Sequence, residues 1–247
     1  MSVEIAPIEG LPEIRSGDSL GELIAAGAQI VDGDVVVISQ KAVSKAEGRV
    51  RRLGEVAASD RARKLGAELG KDPALVELIL EESTSIIRAE RGVLIVETRS
   101  GWICANAGID ASNVPGDDAV VLLPVDPDAS ARRIRAEIRK ATHRAPAVVV
   151  SDSFGRPWRL GQTDVAIGCA GLTPLEDWRG RSDREGRELA ATVTALADEI
   201  AAAADVVRGK DAGIPAALVR GLAHLVGADD GPGAAALRRS AADDLFR

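Results

Sequence analysis

Aromatic residues are almost absent from this 247-residue chain, which has three Trp, two Phe and no Tyr. The core must therefore be built from Val, Ile, Leu and Ala, and the stacking platforms that bind single-stranded nucleic acid are not expected. Acidic residues outnumber basic ones, 38 to 31, which gives a formal net charge of −7. Because a negative surface disfavours nonspecific attraction to nucleic acid and to membranes, we expect neither as a partner.

Cysteine and long apolar runs are also scarce. Cys104 and Cys169, together with two His, do not readily supply a closed zinc site. Their small apolar surroundings predict buried free thiols in a reducing compartment. No apolar run approaches the roughly 20 residues that span a bilayer, and the N-terminus lacks the pattern of a signal peptide. We therefore expect a cytoplasmic protein.

The chain alternates apolar strand-like segments with amphipathic ones. Residues 34–39 and 147–151 are typical of buried strands, residues 128–143 of an amphipathic helix, and residues 182–204 of the longest helix. This alternation predicts a mixed α/β or α+β architecture.

The composition of the chain changes near its C-terminal end. We interpret residues 1–226 as one domain, whereas residues 227–247 are rich in Gly, Asp and Ala and predict a linker-like tail.

Two segments place acidic residues directly after apolar strands, in turns made of small residues. They are ANAGIDASNVPG (residues 105–116) and SDSFGRPWRLGQTDVAIG (residues 151–168). We interpret the second as a long polar loop, and loops of this length between apolar segments are often functional.

Asp110 and Asp152, one from each segment, could meet at one metal ion, with Ser153 and Asn113 adding neutral oxygen atoms. Such oxygen ligands suit magnesium or manganese better than zinc. The alternative is that both Asp residues occupy turn or cap positions, which is a common role for Asp.

The stretch from Gln40 to Arg52 is polar and basic and follows a predicted strand. Lys45 lies a few residues after that strand, where α/β proteins often hold anions. The alternative is a solvated charged face. Arg208-Gly209-Lys210 is a weaker candidate for phosphate binding. Neither a P-loop, a G-x-S-x-G motif nor a catalytic Cys signature occurs, so covalent catalysis is not favoured.

Taken together, four blocks carry a family resemblance. They are QKAVSKAEGR (residues 40–49), ANAGIDASN (residues 105–113), SDSFGRPWRLGQTDVAIG (residues 151–168) and a late segment with GK followed by PAALVRG. Over residues 3–225 the chain resembles the coenzyme F420 gamma-glutamyl ligase family.

The resemblance implies an enzyme that adds L-glutamate to coenzyme F420-0, and then further gamma-linked glutamates, through an acyl phosphate as GTP is hydrolysed to GDP and phosphate. It also implies magnesium or manganese at two sites, potassium, an α+β fold with a mixed sheet, and an intertwined homodimer. In many actinobacterial relatives a nitroreductase-like flavin domain follows, and the end of this tail resembles that junction.

Matched position by position, the family's motifs assign roles to particular residues. Asp110 and Asp152 would bind one divalent cation, and Ser153 would help to hold a second. Asp110, Asp152 and Lys45 are the catalytic set. The nucleotide site would comprise Leu11, Pro12, Glu13, Ile14, Gln40, Lys45, Asn113, Gly209, Lys210 and Gly213. Members of the family often have a hydroxyl residue near the position of Gln40, and this chain departs from that pattern. Our own hypothesis is that Arg156 and Arg159 hold the anionic substrate.

Two further functions remain open from the sequence. One is a non-catalytic nucleotide-binding module with the same fold, and the other is an amide ligase of the family that acts on a related anionic substrate. The presence of both Asp110 and Asp152 favours an enzyme over a binding module.

Overall fold

The computed structural model describes residues 2–112, 116 and 118–245. The strands of this part of the chain are β1 (Glu4–Pro7), β2 (Val35–Ser39), β3 (Val50–Arg52), β4 (Ser83–Glu90), β5 (Val93–Thr98), β6 (Ile103–Ala105), β7 (Ala119–Val121), β8 (Ala147–Arg156), β9 (Arg159–Ala170), β10 (Glu176–Asp177), β11 (Val193–Thr194) and β12 (Ala216–Arg220). Its α-helices are α1 (Leu20–Gly27), α2 (Gln40–Ala46), α3 (Asp60–Leu69), α4 (Pro73–Glu81), α5 (Pro127–Thr142) and α6 (Leu196–Asp205).

The main sheet has five strands in the order β1-β12-β2-β8-β9. The central pair, β2 and β8, is parallel and runs from Val35 opposite Ala147 to Ser39 opposite Ser151, while the other neighbours are antiparallel. Both central strands are continuous apolar runs because each is covered on two faces. The prediction of an α+β fold with a mixed sheet is therefore confirmed.

Alternate residues of the central strands enter two different cores. Val36 and Ile38 pack with α1 and α5 on one face of the sheet, and Val35 and Val37 pack with the small Ala residues of α6 on the other. This alternation follows from the period-2 geometry of a strand. With so few aromatic rings, aliphatic side chains fill both layers.

A second lobe forms a separate core. It combines the hairpin-linked sheet β4-β5-β6 with α3 and α4, and its buried residues include Val76, Leu78, Ile79, Leu94 and Val96. Helix α4 begins at a standard capping pattern: Asp72 accepts the backbone N–H of Ala74, and Pro73 occupies the first turn.

The prediction of a polar loop over residues 151–168 is wrong. Strands β8 and β9 continue through this segment as one long hairpin, which turns between Arg156 and Arg159. The outer half of the hairpin is polar because residues 155–162 project into solvent, beyond the layers that cover the main sheet. Low apolar content was thus a sign of exposure and not of irregular backbone.

The prediction of a long helix over residues 182–204 is also wrong, because the helix spans only Leu196–Asp205. Residues before it form the short antiparallel pair β10–β11, in which Val193 faces Asp177. Gly186 has a left-handed φ of 82°, and the β-branched run at residues 192–194 favours extended backbone. These local preferences override the helical spacing of the apolar residues.

The division of the chain at residue 226 stays a prediction, but the first part of the tail lies against the domain. Arg135, buried on α5, donates to the backbone oxygen of Gly227 at 2.7 Å and to Asp230 at 2.7 Å. Asp128 accepts the backbone N–H of Ala234, which is fully buried. No helix within the described residues has the length and apolar character needed to cross a membrane.

Candidate functional site

A cleft of about 970 Å³ opens beside the carboxyl ends of the parallel strands β2 and β8. Open sheets with parallel strands commonly bind ligands at this edge, because loops there diverge and leave space. The cleft is lined by twelve of the residues singled out from the sequence: Leu11, Pro12, Glu13, Ile14, Gln40, Lys45, Asp110, Asp152, Ser153, Gly209, Lys210 and Gly213. Segments that are about 200 residues apart in the chain therefore form one surface.

Two predicted residues, Arg156 and Arg159, lie away from the cleft. A third, Asn113, falls outside the described residues. Arg156 and Arg159 lie at the exposed turn of the β8–β9 hairpin and are not part of the cleft wall, although Arg156 donates to the backbone oxygen of Leu160 at 3.1 Å. Their role in holding an anionic substrate stays a prediction.

Asp110 is held in place from both of its sides. Its backbone exchanges hydrogen bonds with Val121, N to O at 3.1 Å and O to N at 2.8 Å, which anchors the residue to β7. Directly before it, Asn106, Ala107 and Gly108 all have left-handed φ angles of 52°, 55° and 69°. A non-glycine residue with such a φ is costly and is tolerated mainly where function demands it. This turn directs the chain into the cleft.

The carboxylate of Asp110 pairs with Lys41, with 2.8 Å between Oδ2 and Nζ, and accepts the backbone N–H of Ser112 at 2.7 Å. Burial opposes its ionisation, but these two donors outweigh burial and hold the pKa of Asp110 below its ordinary value. Asp110 is therefore a carboxylate at neutral pH. Lys41 was not singled out from the sequence, although it lies in the basic stretch.

Asp152 has a different environment. Burial raises the pKa of Asp152 to about 7; the backbone N–H of Ser153 and the charge of Lys41 oppose the rise, and the nearby charges of Asp164 and Asp110 add to it. Within the described residues no ion pair links this carboxylate to a cation. A partly buried negative charge without an ion-pair partner is unfavourable, so this carboxylate is suited to a bound cation.

Asp164 is the centre of a network that sequence reasoning missed. It lies opposite Ser153 in the β8–β9 register and is almost fully buried. Its Oδ1 accepts the hydroxyl of Ser153 at 2.6 Å, and its Oδ2 accepts the hydroxyl of Ser151 at 2.8 Å and Nη2 of Arg208 at 2.7 Å. A prediction of the β8–β9 hairpin would have placed Ser153 opposite Asp164. Because the segment was interpreted as a loop, no strand pairing was predicted for it.

Arg208 is buried beside this carboxylate, with 4% of its surface exposed. Besides Asp164 it contacts the hydroxyl oxygen of Ser151 at 3.0 Å, while its Nε and Nη1 are buried without a hydrogen-bond partner in the described part of the chain. A buried guanidinium is tolerated when it is paired with a carboxylate in this way, and removing either partner is costly. Arg208 therefore belongs to the floor of the cleft.

Two lysines complete the charged surface. Lys45 pairs with Glu13 across the cleft, with 2.6 Å between Nζ and Oε1. Lys210 donates to the hydroxyl of Ser153 at 2.7 Å and lies 3.2 Å from Asp205 and 3.6 Å from Asp164. Gln40, the departure noted above, is buried and accepts the hydroxyl of Ser44 at 3.0 Å.

The carboxylates of the cleft fit a Mg²⁺ site with few protein ligands better than a metal site that protein ligands enclose completely. Within the described residues, no three His, Cys, Asp or Glu side chains come together as a ligand set. Asp110 and Asp152 provide two carboxylates that lie within electrostatic reach of each other. Mg²⁺ in phosphate-handling sites commonly uses one or two carboxylates, with water and phosphate oxygens for the rest. The unpaired charge of Asp152 thus agrees with the predicted metal ligands.

The part of the chain that forms this cleft is similar in sequence to a known protein family. A sequence model of the family described as F420-0:gamma-glutamyl ligase matches residues 10–221, which include every described residue of the cleft discussed above. The chain belongs to the F420-0:gamma-glutamyl ligase family. The resemblance inferred from the four sequence blocks is therefore confirmed.

Several curated relatives of this family are similar over most of their length. A protein of Methanothermobacter thermautotrophicus named coenzyme F420:L-glutamate ligase is 45% identical over 227 residues, which cover 90% of this chain and 90% of the relative. A protein of Haloarcula marismortui with the same name is 47% identical over 88% of this chain and 87% of the relative. A third, from Methanopyrus kandleri, is 44% identical over 100% of this chain and 98% of the relative.

Proposed function

We propose that this chain is a ligase that joins L-glutamate to coenzyme F420-0 through an amide bond and then adds further gamma-linked glutamates. The observation that carries the proposal is that the family's sequence blocks converge on one cleft, within a family match that spans residues 10–221. The names of the curated relatives support the same acceptor and the same amino acid.

GTP is the proposed energy source, with its binding surface along Leu11 to Ile14, Gln40, Asn113 and the segment from Gly209 to Gly213. A nucleoside triphosphate brings several negative charges into a cleft that already contains five carboxylates named above. The side chains of Lys41, Lys45 and Lys210 lie along this cleft and supply positive charge. They would hold the phosphate groups by charge-assisted hydrogen bonds.

Magnesium or manganese is the proposed divalent cation, with Asp110 and Asp152 as its ligands; potassium is proposed as an additional activator. When bound, the divalent cation supplies charge neutralisation for the phosphate groups and the substrate carboxylate. Asp110 is prepared for this role by Lys41, which keeps it ionised, and Asp152 by the absence of a competing ion pair among the described residues.

The proposed chemistry has two steps and needs no protein nucleophile. The acceptor carboxylate attacks the terminal phosphorus of GTP, GDP leaves, and an acyl phosphate forms. The amino group of glutamate then attacks the acyl carbon, phosphate leaves, and the nitrogen loses a proton. The enzyme contributes by holding three anionic reactants in line and neutralising their charge. Lys45 and Lys41 do this at the phosphates.

We also propose that two copies of the chain associate. The turn of the β8–β9 hairpin exposes two large apolar side chains, Trp158 (85%) and Leu160 (99%). Apolar side chains on a projecting arm are suited to burial against a second copy. Sedimentation of the purified chain should give a dimer, and Leu160→Ser should shift it toward monomer. A wild-type chain that sediments as a monomer at all concentrations contradicts this.

The test of the proposed reaction is a mass-spectrometric assay. Purified chain is mixed with coenzyme F420-0, L-glutamate, GTP and Mn²⁺, with parallel samples that contain EDTA or the Asp152→Asn variant. We expect mass increments of one or more glutamyl units, lost in both parallel samples. Tight GDP binding without any increment would point to a different anionic acceptor, and increments that persist with EDTA would exclude the metal requirement.

A further inference from the structure

The two sides of the cleft floor differ in how their charges are balanced. We call Asp110, Asp152 and Lys41 the open half, because it has two carboxylates and one cation. We call Asp164, Asp205, Arg208 and Lys210 the paired half, because it has two carboxylates and two cations. Ser153 lies on the boundary, next to Asp152 in sequence and bonded to Asp164.

Asp164, one of the two carboxylates of the paired half, has little capacity left to bind a metal ion. Asp164 accepts hydrogen bonds from Ser151, Ser153 and Arg208, and Lys210 lies 3.6 Å from its Oδ1. A carboxylate offers about four lone-pair sites, so nearly all of them are occupied by protein donors. A metal ion could use Asp164 only by displacing one of these donors.

The ammonium group of Lys210 lies where a cation beside Ser153 would have to lie. Its Nζ is 2.7 Å from the Ser153 hydroxyl oxygen, 3.2 Å from Oδ1 of Asp205 and 3.6 Å from Oδ1 of Asp164. Three oxygen atoms from separate elements therefore face one positive charge. Asp205 is the last residue of α6, and the carboxyl end of a helix further favours a cation.

A metal ion and this ammonium group cannot share the site. Mg²⁺ binds oxygen at about 2.0–2.1 Å, so an ion on the Ser153 hydroxyl would lie within a few ångströms of Nζ. The two like charges would repel each other at that distance. In the open half, by contrast, the described residues place no cation against Asp152 in an ion pair.

We propose that the ammonium group of Lys210 takes the place of a second divalent cation beside Ser153, so that each cleft binds a single divalent cation, held by Asp110 and Asp152. This inference rests on the proposed function, which supplies the first cation. It departs from the two-metal expectation that the family resemblance gives. The chain carries its second positive charge covalently, and Asp164, which also pairs with Arg208 at 2.7 Å, lies 3.6 Å from the Lys210 ammonium group.

The test counts bound metal directly and does not depend on turnover. The full-length chain, stripped with EDTA and saturated with GDP, is titrated with Mn²⁺ while free Mn²⁺ is followed by electron paramagnetic resonance. We expect one Mn²⁺ per wild-type chain and two per Lys210→Gln chain, because the variant keeps the Ser153, Asp164 and Asp205 oxygens but removes the competing charge. Lys210→Arg, which restores a cation, should return the count to one.

Lys64→Gln is the matched control, since it removes one exposed lysine from α3, away from the cleft, and should leave the count at one. Two Mn²⁺ per wild-type chain, or one per Lys210→Gln chain, overturns the inference but leaves the proposed ligase intact. No Mn²⁺ on any chain overturns the metal part of the proposed function as well. Lys210 is largely exposed, so these variants are expected to fold.

Discussion

The open half and the paired half of the cleft contain the same kind of carboxylate in opposite circumstances. Asp164 is buried and fully engaged by Arg208 and two serine hydroxyls, whereas Asp152 is partly buried, with one backbone N–H and no ion pair among the described residues. The first arrangement stabilises the fold, and the second keeps a charge available for a ligand. The number of partners therefore distinguishes the structural carboxylate from the functional one.

The largest expected effect concerns the open half. Asp152→Asn should abolish detectable Mn²⁺ binding and ligase activity, because it removes a proposed ligand. It should not destabilise the fold, since the side chain it replaces is partly buried and has no ion pair in the described structure. Mn²⁺ titration and thermal unfolding measure the two effects, with the exposed Asp60→Asn as the matched control.

The same variant has a predicted pH dependence in metal-free buffer. The pKa of Asp152 is raised to about 7 in the folded chain by burial, while the unfolded value is near 3.8. The folded chain binds the proton of Asp152 more tightly than the unfolded chain does. Protonation of Asp152 therefore stabilises the wild-type fold, and this stabilisation is lost as pH rises from about 4 to 7. The free energy of unfolding of Asp152→Asn should exceed that of wild type increasingly over this interval. A constant difference across this range would contradict the assignment.

In the paired half, Arg208→Met should instead weaken the fold. The substitution leaves a buried charge on Asp164 without its guanidinium, and breaking a buried pair costs about 3–5 kcal/mol. Urea unfolding should show this loss, whereas Met at the exposed Arg61 should change stability little. A double variant that also carries Asp164→Leu should recover part of the loss. Equal stability of Arg208→Met and wild type would show that the pair is not structural.

A smaller effect is expected at the turn before Asp110. Ala107 is buried with a φ of 55°, and a β-branched residue is strongly disfavoured there. Ala107→Val should cost about 1–3 kcal/mol of unfolding free energy and should weaken Mn²⁺ binding by displacing Asp110. Ala107→Gly, which accepts this φ, should retain Mn²⁺ affinity. Similar Mn²⁺ affinity in both variants would show that the turn does not position Asp110.

The smallest effect uses the two thiols as reporters. Burial raises the pKa of Cys104 to about 12, with a further contribution from the charge of Asp152; burial and the charges of Asp128 and Asp198 raise the pKa of Cys169 to about 12. Because the thiolate is the reactive form, Asp152→Asn should speed alkylation of Cys104 by iodoacetamide severalfold. Cys169 is the internal reference, and a parallel increase there would indicate general loosening.

Much of the fold could be predicted because its signals are local. The apolar runs of β2 and β8, the N-terminal cap at Asp72 and the periodicity of α5 each depend on neighbouring residues. The segments at residues 151–168 and 182–204 failed because tertiary context decided them. In the first segment, pairing with a partner strand stabilises a stretch of polar residues as sheet. In the second segment, the left-handed Gly186 and a short strand pair override the helix-like spacing of the apolar residues.

The site was predicted unevenly for a related reason. Asp110, Asp152, Lys45 and the N-terminal loop were found because motif blocks carry them. Arg208 was singled out only as a weak phosphate-binding candidate, and the network around Asp164 was missed, since it depends on a contact between residues 44 positions apart. The partner of a buried charge is a property of three-dimensional packing.

Sequence patterns alone were enough to identify the family, the core made of small aliphatic residues and many of the residues that line the cleft. Which carboxylates have partners depends instead on the three-dimensional packing. The hairpin register places Ser153 opposite Asp164, the segment after α6 brings Arg208 and Lys210 to the same carboxylate, and no comparable ion pair reaches Asp152 among the described residues. Strand and helix propensities act over a few residues, but the balance of buried charge depends on which distant elements pack together.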